Sequence, residues 1–304
     1  MKKQLLIAAV AATMSSVAMA DIAITGNMKV NYKNTDTNGA TVDTVTQEAN
    51  LVIAGSNGDT KVHMEIAMDG DSAEAASEDV WLSTKIGDVS VKTGTWNGSD
   101  SIFAKDSTRT NGNWILGTSV AGAAVSVEGD SAKSATTVAV KGDIAGVAAT
   151  YKMKSTSNEL YLATDVAGFG VTFATIDADA VTSDATAITV SKEFNGVTVS
   201  YSDVSTDASY TVTGDTAAFG DAAAIGMASG DDASSIKLAT SIAGNAVSAR
   251  FVSVDAASDF DVNTFQVTRA LANGTTLEVT YTDTDKVGSA SDKEVLDVEL
   301  AVKF

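Results

Sequence analysis

Apolar and polar side chains alternate without a break from Leu296 to the last residue, Phe304. Leu296, Val298, Leu300, Val302 and Phe304 share one parity; Asp297, Glu299, Ala301 and Lys303 share the other. A period of two puts successive side chains on opposite faces of a β-strand. The same period returns through Ile22, Ile24, Met28, Val30 and Tyr32, through Val171, Phe173 and Thr175, through Val197, Val199 and Tyr201, and through Leu277, Val279 and Tyr281. Helical periodicity over three turns is scarce, and its best instance, 72–79, reads as a short turn or a loop. The pattern predicts an all-β chain.

Two kinds of connector separate the strands. Tight ones at 85–91, 119–125, 141–147, 165–171, 193–199, 241–247 and 270–277 carry Gly, Gly-Asp or Asn-Gly, where a hairpin needs positive φ. Longer ones at 34–44, 69–79, 96–112, 129–135, 177–186, 254–261 and 283–293 are rich in Asp, Ser, Thr and Ala. Long and short alternate, so one edge of the sheet has tight turns and the other has excursions. Between sixteen and twenty strands are expected, with 203–233 the stretch that reads poorly. No composition break marks a second domain, and no fixed repeat of the solenoid kind is present.

The first twenty residues form a separate unit. Lys2 and Lys3 precede LLIAAVAA, and the stretch closes on Ala18-Met19-Ala20. That order predicts a signal peptide over 1–20 and a mature domain over 21–304. Without Lys2 and Lys3 the balance is 18 basic against 39 acidic residues, a net charge of −21. Nucleic acid is a poor partner for that charge. The chain has no Cys, so disulfides and thiolate chemistry are excluded, and one His excludes a multi-histidine metal centre. It also has no Pro, which suits long strands whose N–H groups are all in use.

A strand with one apolar and one polar face fits two architectures. In a soluble sandwich the apolar face is the core. In a membrane barrel the apolar face meets lipid, the polar face lines the interior, and closure removes every unpaired edge. Asymmetric connectors and a final aromatic residue favour the barrel. The prediction is a single antiparallel transmembrane β-barrel of about sixteen strands, with eighteen as the alternative.

Three stretches carry a family resemblance. ITGNMKVNY (24–32) has a glycine followed by a basic residue, Lys29, whose parity opposes Met28 and Val30. EDVWLSTKIGDVSVKTGTW (78–96) resembles a strand pair leading to an inward-folded third loop, and LDVELAVKF resembles a closing strand with a terminal aromatic. In these the chain resembles the trimeric, sixteen-stranded general porins of Gram-negative outer membranes, of the alphaproteobacterial type. Against that pattern, its 18 aromatic residues (3 Trp, 6 Tyr and 9 Phe) make thin girdles. Arg269 also shares the parity of Phe265 and Val267, which requires a place at the rim or a bulge.

The resemblance implies a passive channel for small hydrophilic solutes and ions in the cell outer membrane. It implies contact with outer-membrane lipid and lipopolysaccharide, and a homotrimer. It also implies that Phe304 is the signal read by the barrel-assembly machinery. The segment 96–114, between Trp96 and Trp114, is the candidate constriction, with Asp100 and Asp106 on its acidic side and Lys105 and Arg109 within it. Lys29 is the best candidate for the basic wall and Lys61 a weaker one; Arg250 joins them if its strand is unbroken. The acidic balance predicts a mild cation preference.

Other chemistries have less support. Acidic stretches at 67–79 and 228–235 lack the spacing of a twelve-residue calcium loop. No cofactor is expected beyond loosely held Ca²⁺ at such loops. His63 has the parity of Glu65 and opposes Val62, Met64 and Ile66, so it reads as a polar-face or interior residue rather than a catalytic base. No nucleophile elbow or phosphate-binding glycine motif is present, so the chain is not expected to be an enzyme. The rival reading is a secreted all-β surface-layer or structural envelope protein without channel activity.

Overall fold

Among the described residues, seven connectors place two consecutive residues at positive φ: Asn38-Gly39, Ala121-Gly122, Ala145-Gly146, Ala167-Gly168, Asn195-Gly196, Ala243-Gly244 and Asn273-Gly274. Both central residues of a type I′ hairpin turn need that conformation, because its twist matches the twist of the strands it joins. Alanine takes the first place in four of them, although a left-handed alanine costs about 1 kcal/mol. At two of these the preceding aspartate offsets part of the cost. Gly146 N–H donates to Asp143 Oδ1 and Gly168 N–H to Asp165 Oδ1, each at 3.0 Å.

The computed structural model describes residues 21–69, 75–97, 109–131, 136–178, 184–207, 232–255, 259–286 and 292–304. These form eighteen strands, taken in chain order. The first six are β1 (Asp21–Thr37), β2 (Ala40–Asn57), β3 (Thr60–Asp69), β4 (Ala75–Ile86), β5 (Val89–Asn97) and β6 (Arg109–Val120). Then follow β7 (Ala123–Gly129), β8 (Thr137–Ile144), β9 (Val147–Met153), β10 (Ser157–Val166), β11 (Phe169–Ala178) and β12 (Ala185–Phe194). The last are β13 (Val197–Thr206), β14 (Asp232–Ile242), β15 (Asn245–Asp255), β16 (Phe260–Ala270), β17 (Thr275–Lys286) and β18 (Lys293–Lys303).

Each strand pairs antiparallel with the next, and β1 pairs with β18, so the sheet closes into one barrel. The count is eighteen, the higher of the two expected. One stretch expected to be a long connector, 34–44, is instead the tip of the long β1–β2 hairpin, turning at Asn38-Gly39. Likewise 75–79 is strand rather than loop, being the start of β4. Tight turns at 58–59, 87–88, 121–122, 145–146, 167–168, 195–196 and 243–244 share one rim with the start of β1 and the end of β18. The longer connections fall on the opposite rim.

The facing of β18 follows its sequence. Leu296 and Leu300 are exposed on the outside, while Asp297 and Glu299 turn inward beside Lys33 and Asn31 of β1. The outer surface is an apolar band that includes Met28, Val80, Leu116, Phe173, Ile236 and Phe265, all exposed. Lipid is the solvent that suits such a band. Arg269 faces outward with no break in register, opposite Asn245 and next to the tight-turn rim, where its guanidinium can reach water. Lys192 sits on the same rim with its Nζ 3.9 Å from the ring centroid of Phe169.

Towards the long-loop rim the two faces exchange character. Along β13 the outward residues run Val197, Val199, Tyr201 and then Asp203, while the inward ones run Ser200, Ser202 and then Val204. Along β15, outward Phe251 gives way to Ser253 and Asp255, and inward Arg250 gives way to Val252 and Val254. A directly opposed row of inward side chains crosses five strands there: Ala174, Ala187, Val204, Ala233 and Val254. Their exposure lies between 0 % and 4 %. The strands thus continue beyond the lipid, where the outward face meets water and the inward face is dry. Tyrosines mark the change of medium. Tyr201 Oη donates to Asp203 Oδ2 at 3.3 Å, and Tyr32 Oη to Asp43 Oδ1 at 3.0 Å. An amphipathic ring with a polar tip suits that interface.

Candidate channel lumen

The inner wall is polar because each strand turns its second parity inward. Lys29 of β1 faces Glu48 of β2 across the ladder and pairs with it at 2.8 Å, both side chains half-exposed. Next to it, Asn31 Nδ2 donates to Asp297 Oδ1 at 2.5 Å across the closing seam. Lys61 also points inward, exposed, between Ser56 and Ser83 near the tight-turn rim. β15 is unbroken, so Arg250 points inward, directly opposite Lys237 of β14, with Nη2 3.4 Å from Thr264 Oγ1. On the far side of the seam Glu278 and Glu299 oppose each other directly.

Four of the sequence candidates concern the segment after β5. Asp100, Lys105 and Asp106 lie outside the described residues. Arg109 is the first residue of β6, opposite Asn97. The two tryptophans that bracket the segment face opposite ways. Trp96 is turned inward and buried, its carbonyl accepting from Asn113 Nδ2 at 3.1 Å. Trp114 lies across Gly129 on the outer face, where an added β-carbon would stand 2.6 Å from its ring.

The sequence reading missed a cluster on β3, β4 and β5. His63 stacks on Trp81, with centroids 5.0 Å apart and planes within 8°. Lys92 lies between two indoles, its Nζ 4.5 Å from the centroid of Trp81 and 4.2 Å from that of Trp96. Two irregularities border it. A bulge between Met64 and Ile66 sets both Glu78 and Asp79 against Glu65. Between β5 and β6 the register slips at Gly94 and Trp96. Gly94, at φ +143°, lets β5 run so close to β4 that a β-carbon there would overlap Trp81. The signal was present in part. Counting back from the Gly87-Asp88 turn sets Trp81 against Gly94 and Ser83 against Lys92, on one face.

No protein-family model and no curated protein matches the sequence. Solved structures do match the fold. OccK2 (OpdF) of Pseudomonas aeruginosa, solved in complex with glucuronate, aligns with a TM-score of 0.73 at 10 % identity, over 93 % of this chain and 98 % of that one. OccK3 (OpdO) of the same organism aligns with a TM-score of 0.69 at 13 % identity, over 93 % and 96 %. OpdK of the same organism, solved with vanillate, gives 0.69 at 8 % identity, over 92 % and 98 %.

These likenesses and the eighteen strands correct the family resemblance: the architecture is not that of the trimeric, sixteen-stranded, alphaproteobacterial-type general porins. The stretches that suggested it, a glycine before an inward lysine and a terminal aromatic, serve any barrel that must close and insert. The expected homotrimer rested on that resemblance, and 98–108 of the expected constriction segment lie outside the described residues. The described residues form a single closed eighteen-stranded antiparallel barrel, and its fold is that of these solved barrels.

Proposed function

We propose that the protein is a passive diffusion channel for small hydrophilic solutes and ions across the outer membrane. One observation carries the reading: a closed barrel whose middle band is apolar outside and charged inside. A secreted surface-layer protein has no use for that combination. Residues 1–20 are the proposed export signal, and Phe304 the proposed contact for the barrel-assembly machinery. Lys29 and Lys61 are proposed lining residues. Lipid and lipopolysaccharide are the proposed surroundings of the outer band and the long-loop rim.

The proposed selectivity is a mild preference for cations, generated at the mouth. The inner wall carries both signs of charge, with ion pairs between Lys29 and Glu48 and between Lys154 and Glu159. Unbalanced acid collects on the outward face of the long-loop rim, at Asp203, Asp255, Asp261, Asp283 and Glu294. Such a collar concentrates cations over roughly a Debye length, about 10 Å at 0.1 M salt. Planar-bilayer recording of the purified protein tests both parts. Stepwise conductance with a cation-selective reversal potential that fades at high salt is expected. Absence of conductance sinks the channel, and anion selectivity at low salt sinks the collar.

A second reading, passage of small carboxylates, is favoured by the directly opposed Lys237 and Arg250 on the inner wall. Two of the similar barrels were solved with glucuronate and vanillate. Swelling of protein-loaded liposomes in glucuronate against an uncharged sugar of similar size separates the two readings.

A further inference from the structure

We propose that His63, Glu65 and Asp79 form a binding site for a divalent transition-metal ion of the zinc kind on the inner wall. His63 and Glu65 are two apart on β3 and share its inward face, and Asp79 comes across from β4. Their ligand atoms all lie within 4.8 Å of one another, and His63 Nε2 is 4.0 Å from Glu65 Oε2. Zinc bonds of about 2.0–2.2 Å place tetrahedral ligands roughly 3.4 Å apart, so side-chain rotations that close about 1 Å suffice. All three residues are partly exposed, so an ion can enter from the interior.

The local backbone is shaped for this arrangement. In an unbroken ladder Glu65 would face one residue of β4; the bulge at Met64/Ile66 makes it face two, Glu78 and Asp79. The stack on Trp81 occupies a face of the imidazole and fixes its plane. Coordination uses the in-plane nitrogen lone pair, which the stack leaves directed at the carboxylates. A group that orients a ligand histidine in this way raises its affinity for metal. Lys92, pinned over the two indoles, feels the charge of Asp79 and offsets part of the negative charge of the pair. Imidazole with two carboxylates selects ions such as Zn²⁺ over the all-oxygen preference of Ca²⁺. Three protein ligands leave a fourth position open to the interior. A bound dication would cancel the negative charge of the two carboxylates.

Titration calorimetry with ZnCl₂ alone on the detergent-solubilised, full-length barrel tests the site without reference to conductance. One Zn²⁺ per chain is expected, bound tighter than about 1 mM and weakened at least about ten-fold by His63→Ala and by Asp79→Asn. Heat-modifiable electrophoretic migration checks that each variant is folded. Should His63→Ala fail to fold, Asp79→Asn keeps the imidazole stack and gives the answer alone. Zn²⁺ affinity unchanged in the folded variants, or no binding tighter than about 1 mM in the wild type, overturns the proposal. Either result leaves the channel reading standing, because that reading is tested by conductance.

Discussion

Phe304 lays its ring over the α-carbon of Gly26. A β-carbon at position 26 would stand 2.5 Å from Cζ and 2.7 Å from Cε2 of that ring. The two backbones exchange hydrogen bonds, Gly26 N–H to the Phe304 carbonyl at 2.8 Å and Phe304 N–H to the Gly26 carbonyl at 3.0 Å. The chain's last residue is therefore the last rung of the seam that closes the barrel. Gly26 is required there for its missing side chain, not for its backbone angles.

A valine at position 26 should therefore interfere with closure. Gly26→Val is expected to lower stability by about 1–3 kcal/mol through overpacking against the ring. Adding Phe304→Ala should restore part of that and not all, since the Asn50 carbonyl oxygen also lies 2.8 Å from the same point. The folded fraction, read by heat-modifiable migration after refolding, reports both. A Gly26→Val barrel that folds as well as the wild type would remove the seam from the account.

Glu159 is fully buried on the inner side of β10, and Lys154 reaches it at 2.6 Å. Breaking a buried pair costs more than the pair contributes, because one charge stays behind without a counterion. Lys154→Met should lower stability by about 3 kcal/mol, and Lys154→Met with Glu159→Leu should recover most of it. Urea midpoints of the two variants check the difference. Equal losses in the single and double variants would show that packing, and not charge, dominates at this site.

The turns offer a gain rather than a loss. Ala121, Ala145, Ala167 and Ala243 hold φ between +49° and +55°. Asparagine tolerates that region better than alanine because its side chain bonds locally. Each Ala→Asn is expected to raise stability by about 0.5 kcal/mol, nearly additively, since the turns are separate. The smallest gains should fall at Ala145 and Ala167, where Asp143 and Asp165 already brace the loop. Thermal midpoints of the single variants and of all four together measure this.

Most of the barrel was legible because lipid imposes a strict rule. Where one face of a strand meets hydrocarbon, parity alone assigns the faces, as in Leu296 to Phe304 and around Lys29. Legibility failed where that rule lapses. Beyond the lipid the strands carry polar residues outside, so the tip of the β1–β2 hairpin looked like a loop. The His63, Trp81 and Lys92 cluster was hidden for another reason. Its members meet across three strands, and the pairing of one strand with the next leaves no mark in the period of a single strand. His63 read as solitary because Trp81, on which it stacks, lies eighteen residues further along the chain.

The acidic collar should respond to pH with a sign opposite to that of a salt-bridged carboxylate. Asp283 lies beyond Tyr281 on the outward face, and its carboxyl titrates above the usual range. Burial is the larger cause, followed by the charges of Asp285, Glu294 and Asp292. Folding thus favours its protonated form. Its favourable contribution is complete below the ordinary carboxylate pKa and is lost as pH rises through the raised one. Asp283→Asn should then raise the thermal midpoint at neutral pH, and the gain should vanish below about pH 4, where the wild-type side chain is neutral as well. The same substitution should weaken cation preference at neutral pH and low salt, while leaving single-channel conductance in 1 M salt (Debye length about 3 Å) unchanged. A midpoint gain that persists at low pH would assign the effect to packing and detach Asp283 from the collar.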